Sequence, residues 1–121
     1  MKIKSLPLTI LLMSFVQSVN SREMISFDQM AEITVQARVC QQAMNALDNP
    51  EMATQFEEKA RFFYKVVMEV HPTRVEELMH FSAHVQSKTT QIAKTYEDWD
   101  KINVDFRCIN TYLSDKARQQ N

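Results

Sequence analysis

Apolar residues recur along this chain at spacings of three and four in successive stretches divided by short polar or proline-containing breaks, the period of helices with one face turned to a core. Ser26 followed by Gln29 predicts a capped start. Phe27, Met30, Ile33, Ala37, Cys40, Met44 and Leu47 then form the stripe of a first helix ending near Leu47. Asp48, Asn49 and Pro50 make a turn in which Asn49 caps and Pro50 opens a second helix reaching about Val70, since Pro72 ends it. Its second half, Phe62 to Val70, is rich in strand formers, but Gln55 to Arg61 is strongly helical and no partner strand is evident.

Thr73 with Glu76 predicts the cap of a third helix whose stripe is Val75, Leu78, Phe81, Val85 and Ile92. An interruption is expected near Thr95, where Thr95 with Asp98 offers a fresh start although no proline or glycine compels a break. The last stretch carries the cleanest stripe, Trp99, Ile102, Phe106, Ile109 and Leu113, with Val104, Cys108 and Tyr112 beside it. The expectation is an all-α fold, a small bundle of three to four helices running up and down, with the first and last as antiparallel neighbours. Both cysteines then lie in helix interiors.

The residues ahead of this pattern read differently. Lys2 and Lys4 precede an uncharged apolar run from Leu6 to Val16, too short for the roughly 20 residues that span a bilayer and followed closely by Gln17, Ser18, Asn20 and Ser21. Residues 1–21 are therefore expected to be a cleaved signal peptide, with Val19 and Ser21 at the small-residue positions and Ser18 as the weaker cleavage choice. Residues 22–121 are then a single exported helical domain, periplasmic or secreted, with no membrane anchor after cleavage. In an oxidising compartment the two cysteines pair, so Cys40 and Cys108 are expected to form a disulfide bracing a small core.

Removing Lys2 and Lys4 from the fourteen basic residues leaves twelve against fifteen acidic ones, spread among each other without a basic stripe, which argues against nucleic acid as a partner. The chain contains no glycine at all. That excludes Gly-rich phosphate loops, dinucleotide fingerprints and the G-x-S-x-G nucleophile elbow, and most nucleotide enzymes with them. Glu57 with Glu58, Glu76 with Glu77, and Glu97 with Asp98 fall where helix starts favour acids, so they are weak evidence for paired-carboxylate catalysis. No cofactor and no enzymatic activity are expected.

Three sets of side chains stand out. Glu77, His80 and His84 share one side of the third helix and are the metal-like constellation, although no fourth ligand is evident and a solvated polar face is the simpler account. Haem is disfavoured, because no C-x-x-C-H site exists, these histidines face away from the predicted core, and His71 lies at a helix end beside Pro72. A paired Cys40 and Cys108 are poor nucleophiles. Phe62, Tyr64 and Met68 are expected to cluster on a second apolar face of the second helix, as a patch for a partner protein. Of the six methionines beyond the export signal, most are expected to fill the core.

These features fit a protein-binding module, such as a periplasmic inhibitor or immunity protein, using Phe62, Tyr64 and Met68. The alternatives are a metal-binding or metal-sensing bundle and a chaperone or assembly factor of the envelope. A homodimer would also cover the surplus apolar face.

Overall fold

Without glycine, every sharp turn must be made by residues that carry a Cβ, and that constraint shapes the places where the helices stop. The structure is a computed structural model that describes residues 26–120. The expected export signal lies outside the described residues. Two units are distinguished, residues 1–30 and 31–121. Among the described residues there are five α-helices, a short 3-10 turn and no strand. We number the helices α1 (Phe27–Ala46), α2 (Pro50–Val70), α3 (Val75–Ile92), α4 (Tyr96–Asp105) and α5 (Cys108–Gln119), with the 3-10 turn Pro72–Arg74 between α2 and α3. The expected three to four helices are thus corrected to five, because the last predicted stretch is two helices.

In the first unit, Ser26 and Gln29 form the reciprocal cap expected of them. The Gln29 N–H donates to Ser26 Oγ at 3.1 Å and the Ser26 N–H to Gln29 Oε1 at 3.0 Å.

The second unit is built around the remainder of α1. From Thr34 to Met44 no residue of this helix is exposed, and Val35, Ala37, Val39, Cys40, Ala43 and Met44 are fully covered. More than a single stripe of α1 is therefore buried, and the partly open positions Arg38, Gln41 and Gln42 gather on one side of it. Its polar side chains consequently need protein partners. Gln36 Nε2 donates to the Phe106 carbonyl and to Thr111 Oγ1, and Gln42 Nε2 donates to the Gln86 carbonyl and to Thr90 Oγ1. These bonds tie α1 to α5 on one side and to α3 on another.

α1 ends at Ala46 in a Schellman arrangement. Asp48 takes the left-handed conformation (φ 63°), and the N–H groups of Asp48 and Asn49 donate to the carbonyls of Asn45 and Met44. Aspartate tolerates this conformation better than most residues, which suits it to the position a glycine would ordinarily fill. Asn49 then caps α2 through Met52 N–H, with Pro50 in the first turn, as expected. α2 buries Ala53, Phe56, Ala60 and Val67.

Two sequence expectations for α3 fail. Thr73 does not cap it, because Pro72–Arg74 forms a 3-10 turn and Arg74 stands at the cap without a side-chain bond. Nor is the buried face the apolar stripe. Leu78 is fully buried, but its buried companions are Ser82 and Thr89, while Phe81 is 49% and Ile92 69% exposed. Small hydroxyl side chains can be buried here because Ser82 Oγ accepts from Gln86 Nε2 and Thr89 Oγ1 donates to the Val85 carbonyl.

The stretch from Trp99 to Leu113 is broken after Phe106, where Arg107 takes the left-handed conformation (φ 56°) and α5 begins at Cys108. Cys108 therefore lies at a helix start, not in an interior, and Ile109 and Leu113 leave the buried stripe, being 40% and 57% exposed. The buried Asn103 bridges the break, its Oδ1 accepting the N–H of Ile109. The turn brings Cys108 to Cys40 in the expected disulfide. Among the described residues no helix is long and apolar enough to cross a membrane.

Candidate protein-interaction site

The three residues expected to form one patch on α2 do not share a side. At 3.6 residues per turn, Phe62 and Met68 point about 120° apart around the helix axis, whereas Tyr64 and Met68, four apart, lie on the same side. Phe62 is 60% exposed, its ring set edge-on to that of Phe63. Met68 is exposed, and Tyr64 is half-buried with its O–H donating to Met79 Sδ of α3 at 3.3 Å. The apolar surface thus runs from α2 onto α3 through Tyr64 and Met79, and Phe62 stands apart on the neighbouring side. Met68 and Met79 are both about half exposed, whereas Met30 and Met44 are fully buried in the core.

Below Tyr64 and Met79 lies a shallow groove of about 280 Å³, bordered by Thr34, Arg38, Leu78 and Ser82. Sequence pattern alone did not pick out Met79, because the pairing of Tyr64 with a residue fifteen positions on depends on how α2 and α3 meet.

Glu77, His80 and His84 project from the side of α3 opposite Leu78, and both histidines are exposed. Glu77 is engaged elsewhere: its oxygens accept from Arg74 Nε and Nη2 at 3.0 and 2.9 Å, and this guanidinium holds the carboxyl below its usual range. Among the described residues no group of three or more His, Cys, Asp or Glu is arranged to hold a metal ion. The structure therefore does not assemble Glu77, His80 and His84 into a ligand set. Both sulfurs belong to the disulfide, with Cys40 and Cys108 fully covered, so neither is available as a nucleophile.

Two further grooves lie elsewhere on this unit. One, between α2 and α5, is charged but internally paired. Lys59 Nζ sits 2.7 Å from Asp115 Oδ2, and Arg118 Nη2 is 2.6 Å from Asp115 Oδ1. Burial pushes the Asp115 carboxyl up, but the bonds from Lys59 and Arg118 outweigh it and leave the group below its ordinary value. The other groove, lined by Val35, Phe81 and Phe106, is apolar. Phe81 escaped the sequence pattern because its spacing from Leu78 assigned it to the core.

Compared with protein-family models, with curated proteins and with solved structures, the chain matches none.

Proposed function

We propose that this chain is an exported protein-binding module, an inhibitor or immunity protein of the periplasm or the secreted fraction, that offers the Tyr64, Met68 and Met79 side of α2 and α3 to another protein, with Phe62 at its margin. The observation that carries this reading is the exposure of large apolar side chains, Met68 and Met79, on two helices joined at this face by the Tyr64 O–H bond to Met79 Sδ. Methionine and aromatic side chains are favoured where a surface must adapt to a partner. The disulfide also suits an oxidising compartment, in keeping with the export signal read in residues 1–21.

The experiment is a pull-down of the oxidised protein from its native envelope extract, followed by titration of the retained partner against Met68→Asp, Met79→Asp and Phe62→Asp variants. Loss of at least about tenfold in affinity for Met68→Asp and Met79→Asp, with unchanged helical circular dichroism, supports this face as the interface. Undiminished binding by all three folded variants removes it. Intact mass of the exported protein checks the compartment, since the proposed cleavage leaves Arg22 as the first residue.

A further inference from the structure

Met68 and Met79 are almost equally open to solvent, at 49% and 52%, while Met30 and Met44 are each 1% exposed. Oxidants reach a thioether from solvent, so these sulfurs divide into an accessible pair and a protected pair. Within the accessible pair Met79 is set apart by Tyr64, whose O–H donates to its Sδ at 3.3 Å. A thioether sulfur is a weak acceptor with two lone pairs, and the hydroxyl engages one of them while the other stays open to solvent. Met79 also borders the groove together with Tyr64, Arg38 and Ser82. A chemical change at its sulfur is therefore a change in the rim of that groove.

We propose that Met79 is a modification site for hydrogen peroxide and that Tyr64 receives its oxidised form. The Sδ lone pair attacks one peroxide oxygen, and an S–O bond forms as the O–O bond breaks. The departing hydroxide takes up the proton of the transferred hydroxyl and leaves as water, so that the sulfur loses two electrons and the peroxide gains them. The sulfoxide oxygen carries partial negative charge and is a stronger acceptor than the thioether. Rotation about the flexible Cγ–Sδ bond brings it to the Tyr64 hydroxyl. An apolar side chain at the rim thus becomes a polar one held by α2. This deepens the protein-binding reading above and rests on it for one consequence: peroxide closes the Tyr64, Met68 and Met79 face to its partner. A methionine sulfoxide reductase, drawing two electrons from thiols and releasing the oxygen as water, reopens it.

The test exposes the folded, disulfide-bonded protein to dilute hydrogen peroxide in a Met68→Leu background, so that Met79 is the oxidisable member of the pair and side-chain volume is kept. By mass spectrometry of peptides over time, sulfoxide should form at Met79 at least about tenfold faster than at Met30 and Met44. The oxidised protein should leave a phenyl resin earlier than its reduced form, by more than any shift in Met68→Leu, Met79→Leu. Urea unfolding then isolates Tyr64. Oxidation should raise the unfolding equilibrium constant at least about threefold more in Met68→Leu, Tyr64→Phe than in Met68→Leu, the worth of one modest hydrogen bond. A tyrosine with a merely structural role would affect reduced and oxidised forms alike. Equal rates at Met79 and the two core sulfurs, the same elution shift without Met79, or no difference made by Tyr64→Phe overturns the proposal.

The partner retained in the pull-down above separates this site from the binding reading. Its affinity should fall at least about tenfold when Met68→Leu is oxidised, and stay unchanged when Met68→Leu, Met79→Leu is treated alike. Binding indifferent to oxidation, with the three chemical outcomes met, removes this face from the interface and leaves Met79 a modification site only.

Discussion

Cys108, the first residue of α5, is bonded to Cys40 in the middle of α1, their Cα atoms 5.4 Å apart across a sequence separation of 68. Closing a loop of that length stabilises the fold by about 4 kcal/mol on the chain-entropy account. The paired variant Cys40→Ala, Cys108→Ala should therefore lose stability of that order in urea unfolding at neutral pH. Because both residues are fully covered, a mild reductant should leave the native bond intact until urea opens the core, as read by thiol labelling over time.

Arg107 and Asp48 both hold left-handed backbone, but only aspartate is suited to it by its own chemistry. Arg107→Gly should leave the protein as stable or raise its stability by up to about 1 kcal/mol, the relief of backbone strain being partly offset by the greater entropy of glycine in the unfolded chain. Arg107→Val should cost more than about 1 kcal/mol, since a β-branched side chain fits this conformation worst. Denaturant midpoints of the two variants against the parent check both signs.

Thr95 and Thr73 look alike in sequence, each followed three residues on by an acid, yet only Thr95 caps. Its Oγ1 accepts from Asp98 N–H at 3.1 Å, and Asp98 in return accepts from the N–H groups of Lys94 and Thr95. Thr95→Ala should cost about 1 kcal/mol. Thr73→Ala should stay within about 0.5 kcal/mol, as for other surface changes.

Acid should weaken this fold through Asp98 and Asp115. The backbone N–H groups of Lys94 and Thr95 hold Asp98 below the ordinary aspartate value of 3.8, and for Asp115 the bonds from Lys59 and Arg118 overcome the opposing effect of burial. A carboxyl whose folded value is lowered contributes stability that is full above the unfolded value and lost as pH falls through the folded one. Unfolding free energy measured from pH 7 downward should therefore fall below about pH 4. Asp115→Asn should lower stability at pH 7 by about 1 kcal/mol and flatten part of that acid limb.

Helical class, the disulfide partners, the cap at Ser26, the turn through Asn49 and Pro50 and the restart at Thr95 were legible in the residues, because each depends on neighbours a few positions away or, for two cysteines, on the absence of any other choice. Which faces are buried was not. A stripe such as Leu78, Phe81 and Ile92 says only that a side is apolar. Whether it meets a neighbour depends on how the helices pack, and here Ser82 and Thr89 are buried beside Leu78 while Phe81 and Ile92 stay open to solvent. The break at Arg107 carries no local signal either, being a left-handed arginine between two good helical stretches. The face of Tyr64 with Met79 and the groove of Phe81 with Phe106 arise from those two nonlocal facts. Periodicity along one helix determines a face, but only the packing of helices against one another decides which faces remain open.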